Sequence, residues 1–228
     1  MKKVILSISA MLVASVSFAQ GNVSAVNQFG IANAAVITQS GLENDSDVLQ
    51  LGFANLAVVD QDGRRNEADI NQGGALNYAN VDQKGRRNDA YIGQLGIANA
   101  AYITQDGRRN DAVIGQAGYL NYARTTQIGR DNASTTLQFG LANSSNTMQE
   151  GHDNNSLSFQ VGIGNSANVD QYGEYNMAIT TQLGTDNTSY INQYGTANYA
   201  WTIQTGDSHL STVNQWGAGN MSLVMQSN

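Results

Sequence analysis

The chain has 228 residues, of which 13% are charged and 7% aromatic; glycines number 24, and proline and cysteine are absent. The lack of cysteine excludes a disulfide framework, a thiolate metal site and a dithiol redox pair, and two histidines, His152 and His209, leave little for imidazole catalysis. A hydrophobic share of 41% with so few charges excludes a solvated tail, and a net charge of −7 does not suit binding to a phosphate backbone.

The first element in the chain is an export signal, predicted over residues 1–19. Lys2 and Lys3 form a positive start, Val4 to Phe18 is mostly apolar, and Ser17-Phe18-Ala19 places small residues at the −3 and −1 positions of a cleavage site. The mature chain is then expected to start at Gln20, with nine basic against eighteen acidic residues. No stop-transfer pattern follows, so no membrane insertion is expected after cleavage.

Everything after that, 20–228, reads as one repeat domain of about nineteen eleven-residue units. Glutamine recurs every eleven residues from Gln28 through Gln39, Gln50 and Gln61 to Gln204, Gln215 and Gln226. Glycine follows two residues later, from Gly30 and Gly41 onward. Asparagine follows five residues after each glutamine, as in Asn33, Asn44, Asn55 and Asn220, with His209 the one departure. Asn22 extends that column backwards. Ala or Ser stands two residues after each asparagine (Ser24, Ala35, Ser222), and Val, Ile, Thr or Ser four after it (Val26, Ile37, Val224).

Parity turns these columns into structure. Asn33, Ala35, Ile37 and Gln39 share one face of a strand, and Ala34, Val36 and Thr38 take the other. The first set is constant and the second wanders, so the first faces a constant interior and the second solvent. Seven residues of strand and a Gly-x-x arc make one unit, the glycines supplying a positive-φ turn. Two units facing each other enclose a core. The arcs agree, because after alternate glycines they read Ile-Ala, Phe-Ala, Ala-Leu, Ile-Ala, Tyr-Leu and Leu-Ala, and after Gly63, Gly85 and Gly107 they read Arg-Arg. The expected fold is all-β: a β-solenoid of 22-residue strand–arc–strand coils with two facing, parallel, in-register sheets. Buried Asn and Gln side chains are expected to satisfy each other by stacking, each donating to one neighbour and accepting from the other.

The pattern Gln-x-Gly-x-x-Asn-x-Ala-x-x-x-Gln at Gln28–Gln39 and Gln94–Gln105 resembles the curlin repeat of bacterial curli fibres, and the resemblance covers about 22–228. It implies a functional amyloid: a secreted subunit that assembles on the bacterial surface and supports biofilm and adhesion. The partners it implies are other copies in a head-to-tail homopolymer, a sister curli subunit, periplasmic chaperones and an outer-membrane secretion pore. The major fibre subunit is the favoured role, with the minor, nucleating subunit as the alternative. One departure is that the repeats begin almost at once, without the Gly-rich targeting stretch of the major subunits. The resemblance also implies that outward charges (Asp62, Asp82 and Asp106) act as gatekeepers that slow premature assembly.

Assembly is also expected from the repeat itself. Asn22, Ser24, Val26 and Gln28 at one end, and Asn220, Ser222, Val224 and Gln226 at the other, are predicted to present unpaired strand edges that another copy completes. Head-to-tail addition is heterologous and yields open filaments. The Arg pairs are expected to be neutralised by Glu67, Asp89 and Asp111, giving a solubilising edge. Outward aromatics (Tyr91, Tyr102, Tyr190, Tyr199, Trp201) suit strand formation or lateral bundling. Competing readings fit less well. An ice- or surface-binding solenoid needs a regular outward threonine ladder, whereas Thr38, Thr104, Thr126 and Thr181 are scattered. An enzyme or calcium-loaded repeat needs a local constellation or a Gly-Gly-x-Gly-x-Asp motif. No catalytic residue, cofactor, metal or nucleic-acid partner is therefore expected.

Overall fold

A computed structural model describes residues 12–18 and 21–228. It contains twenty strands: β1 (Leu12–Phe18), β2 (Val23–Ile31), β3 (Ala34–Leu42) and so on every eleven residues to β19 (Leu210–Ala218) and β20 (Met221–Ser227). They form two ten-stranded parallel sheets, one holding the odd-numbered strands and the other the even-numbered ones, each in chain order. Every residue pairs with the residue 22 positions on, for example Gln105 with Gln127 and Gly107 with Gly129. The expected β-solenoid with 22-residue coils is the observed fold. At about 4.8 Å per coil it is roughly 48 Å long.

Two features differ from the sequence expectation. Each inner strand spans nine residues, from the one after the asparagine to the one after the glycine. The ladder therefore runs through the glycine, and the asparagine sits in the turn. The glycines are held there by more than their φ of +102° to +137°. A Cβ at Gly107 would lie 1.9 Å from the carbonyl oxygen of Gly129 in the next coil, so stacked backbones leave no room for a side chain. The residue two places later is glycine only at Gly164 and Gly219; elsewhere, as at Arg65, Leu76 or Ala98, it takes a left-handed φ of 52° to 60°.

The second difference is β1. Residues 12–18 of the predicted export signal pair with β3, Ser17 standing opposite Gln39 and Ser15 opposite Ile37. β1 thus lies in register but has serine in the glutamine slot and valine in the Ala/Ser slot. The remainder of the signal and its cleavage site, at 1–11 and 19–20, lies outside the described residues.

The interior is filled in three sections. Ala and Ile or Val from Ala35 to Ala123 form one apolar cluster, and Val169, Ala178, Ile191, Ala200 and Val213 form another. Between them the same columns are filled largely by hydroxyls: Thr125, Ser134, Thr136, Ser145, Thr147, Ser156 and Ser158 are all buried. Small side chains throughout keep the two sheets close.

Candidate functional site

The columns converge on two side-chain ladders and the edges where they stop. At every step along each sheet a glutamine Nε2 donates to the Oε1 of the glutamine 22 residues on, at 2.6–2.9 Å. The second proton of the same Nε2 crosses to a backbone carbonyl of the facing sheet, as from Gln105 to the Asp89 oxygen at 2.7 Å. Each glutamine thus ties coil to coil and sheet to sheet. The stacking expected for Gln28, Gln39, Gln50, Gln61, Gln204, Gln215 and Gln226 is present.

Asparagine behaves differently, because its side chain is one methylene shorter and stays near its own turn. The Oδ1 of Asn33 accepts the backbone N–H of Asn55 at 3.1 Å, and that of Asn44 accepts the N–H of Asn66 at 3.1 Å. Asn55 Nδ2 reaches Asn33 Oδ1, the Leu51 carbonyl and the Gly74 carbonyl. The asparagine column is therefore a turn clamp as much as an amide stack. His209 keeps only part of it, its N–H donating to Asn187 Oδ1 at 3.1 Å.

The ladders have directions, and so do their ends. At the first rung, Gln28 Oε1 is buried and has no hydrogen-bond partner among the described residues. At the other end, Gln215 Nε2 donates to the Tyr199 carbonyl at 2.9 Å and retains a proton that no further glutamine receives. The last coil exposes two strand edges. β20 holds the expected Asn220, Ser222, Val224 and Gln226, and β19 is a second edge beside it. An open groove of about 560 Å³ runs along that end, lined by Thr212, Asn214, Gln215, Trp216, Asn220 and Ser222. Above it, Tyr172 and Tyr194 stack at 4.8 Å between ring centroids, and Tyr194 and Trp216 at 4.5 Å. These aromatics were legible as residues 22 apart in the slot after glutamine. At the other end, Ser24, Val26 and Gln28 lie in β2 and Asn22 just before it, and among the described residues β2 has no partner on its outer side.

The charged arcs pair otherwise than the sequence suggested. Arg64, Arg86, Arg108 and Arg130 stack in register. The acids that pair with arginines lie in the arcs themselves: Glu43 faces Arg65 and Arg64, and Asp131 faces Arg109 at 2.7 Å and its neighbour Arg130 at 3.4 Å. Glu67, Asp89 and Asp111 are not in those pairs, because the residue after asparagine opens the next strand and points out from its face. There they stack on each other. Burial, with Glu67, Asp111 and Asp69 nearby, pushes the Asp89 carboxyl up to about 6. Asp62 and Asp106 flank Lys84 in one outward column, and Asp82 contacts Lys84 at 3.5 Å. Asp131, His152 and Asp153 offer ligand atoms within 4.8 Å of one another. Guanidinium groups already face Asp131 and His152, which opposes a cation.

A family model described as curlin associated repeat matches residues 41–74, 76–107 and 164–195. The gap between the last two matches, 108–163, holds the hydroxyl-filled stretch of the core. No curated protein matches the chain. With its two-sheet solenoid and unbroken glutamine ladder, the chain carries the curlin associated repeat over 98 of its 228 residues.

Proposed function

We propose that this curli-type structural subunit is exported, loses residues 1–19, and polymerises head to tail into amyloid fibres at the bacterial surface, where they support biofilm and adhesion. The observation that carries the reading is the state of the two ends. Each presents strand edges and unfinished glutamine ladders, and the inner columns are the same at both. A second copy supplies what each end lacks, and heterologous joining of this kind propagates without closing. The major fibre subunit is the favoured role and the nucleating minor subunit the alternative. Partners on this reading are further copies, a sister subunit, chaperones of the periplasm and an outer-membrane pore.

The test begins with protein that has been denatured, desalted and incubated with an amyloid dye. The expected result is dye-positive filaments with a meridional spacing of about 4.8 Å and an equatorial one near 10 Å. A soluble monomer persisting for days would overturn the proposal. Mass spectrometry of the exported chain is expected to find Gln20 at its start. Trace seeding of a sister subunit separates the two roles, since a nucleator shortens the lag of its partner far below the partner's own.

A further inference from the structure

Resting on that reading of self-assembly, we propose that successive copies join by a half-turn about the fibre axis, with β2 of one copy adding to β19 of another. β2 belongs to the even sheet and β19 to the odd sheet. Their pairing sets the even sheet of one copy in line with the odd sheet of the next. β3 of the incoming copy then adds to β20, so both edges of the last coil are filled.

The residues on the two edges match slot by slot. In the interior, Ser24, Val26 and Gln28 fall on Ser211, Val213 and Gln215. The spare proton of Gln215 Nε2 meets the buried, partnerless Oε1 of Gln28, with the donor direction used at every other rung. On the outer face, Asn192 Nδ2 already donates to Asn214 Oδ1 at 2.8 Å, and Asn27 is the next residue in that column. The stacked Tyr172, Tyr194 and Trp216 continue into Phe29. Trp216 is 71% exposed and Phe29 63%, so both lack a cover on the side the junction fills. A junction without the half-turn places β2 on β20. Asn27 then falls on Met225 and Phe29 on Ser227, and the odd sheet is left one strand short within the fibre.

β1 bears on this directly. It occupies the edge of β3 that would receive β20, and its serine stands in the glutamine slot. Removal of the export signal both frees that edge and leaves the odd sheet with one strand fewer than the even sheet. That imbalance is what makes the half-turn necessary.

The chain has no cysteine, so introduced pairs report on the junction cleanly. Exported protein carrying Asn214→Cys is mixed with protein carrying Asn27→Cys, assembled, oxidised and dissolved in denaturant without reductant. In the half-turn junction the two Cα atoms lie about 4.8 Å apart, within disulfide range. The expected result is abundant covalent dimer from this mixture, at least tenfold above a mixture of Met225→Cys with Asn27→Cys. Fibres that give the Met225 dimer instead, or neither dimer, overturn the half-turn junction and leave assembly standing. Failure of the unsubstituted chain to form fibres overturns the assembly reading, and the junction with it.

Discussion

Each interior glutamine serves three groups at once, which makes it the costliest residue to change. In Gln105→Leu, Gln127 Oε1, the Asp89 carbonyl and one proton of Gln83 Nε2 all lose their partners inside the core. An unsatisfied buried polar group costs about 1–3 kcal/mol, so a loss of roughly 3–6 kcal/mol is expected. The guanidinium midpoint of the β-sheet circular dichroism signal measures it, and a loss under about 1 kcal/mol would contradict the ladder. The arc makes a second, opposite pair of expectations. Gly107→Ala drives a methyl into the Gly129 carbonyl and should prevent that coil from stacking. Leu120→Gly relieves a left-handed backbone at φ 56° on an exposed side chain. It should be neutral to about 1 kcal/mol stabilising in the same assay, because left-handed strain is offset by glycine's greater unfolded entropy.

At the scale of strands and columns, the middle of the core departs from its flanks. Thr147 is fully buried and its Oγ1 has no partner, whereas Thr125 Oγ1 lies 3.4 Å from Ser134 Oγ. Thr147→Val replaces an unsatisfied hydroxyl by a methyl of similar size and should raise stability by about 1 kcal/mol; Thr125→Val strands its partner and should not. The outward acidic column sets the pH response. Asp45, Glu67, Asp89 and Asp111 open four successive strands of the even sheet, in register. Asp89 sits near 6, above its ordinary value, so the folded state binds a proton that the unfolded state releases. Stability should therefore rise as pH falls from about 7.5 to 5, and Asp89→Asn should flatten that rise in guanidinium titrations. Glu43, held low by Arg65, acts in the other direction only below the ordinary carboxylate range. This column also marks how far the sequence could be read. Period, parity, register and the glutamine ladder were legible because they follow from identical residues at fixed spacing. The ion pairs were not, because which of two neighbouring arcs a long arginine reaches depends on the turn after glycine. The asparagine clamp was hidden for a similar reason: the column shows an amide, and one methylene decides whether it also reaches the backbone of the turn.

For the whole molecule, the decisive property is that the interior repeats every eleven residues while the surface repeats every 22. Both sheets present the same inward columns, so a strand does not register which sheet it occupies; only the arcs and outward residues do. Deleting residues 89–110 removes a full coil and joins Asn88 to Asp111, with every later strand keeping its sheet. Deleting 100–110 removes half a coil and joins Asn99 to Asp111, which sends every later strand to the opposite sheet. Because each coil rests only on its neighbours, both deletions should fold, with a guanidinium midpoint close to the parent's. The half-coil deletion changes what lies outside: the Gly129 arc with Arg130 moves onto the apolar edge beside exposed Ile97. It also makes the number of repeat strands even. The terminal strands β2, β3, β19 and β20 are untouched, so the junction still forms, but β2 and β19 now belong to one sheet. Helical reconstruction of filaments should then find the rotation per subunit falling from about half a revolution to the small residual twist of the stack, while the 22-residue deletion keeps the half-turn. A half-coil deletion that unfolds would mean the two sheets have distinct interiors, contrary to the identical columns that run through them.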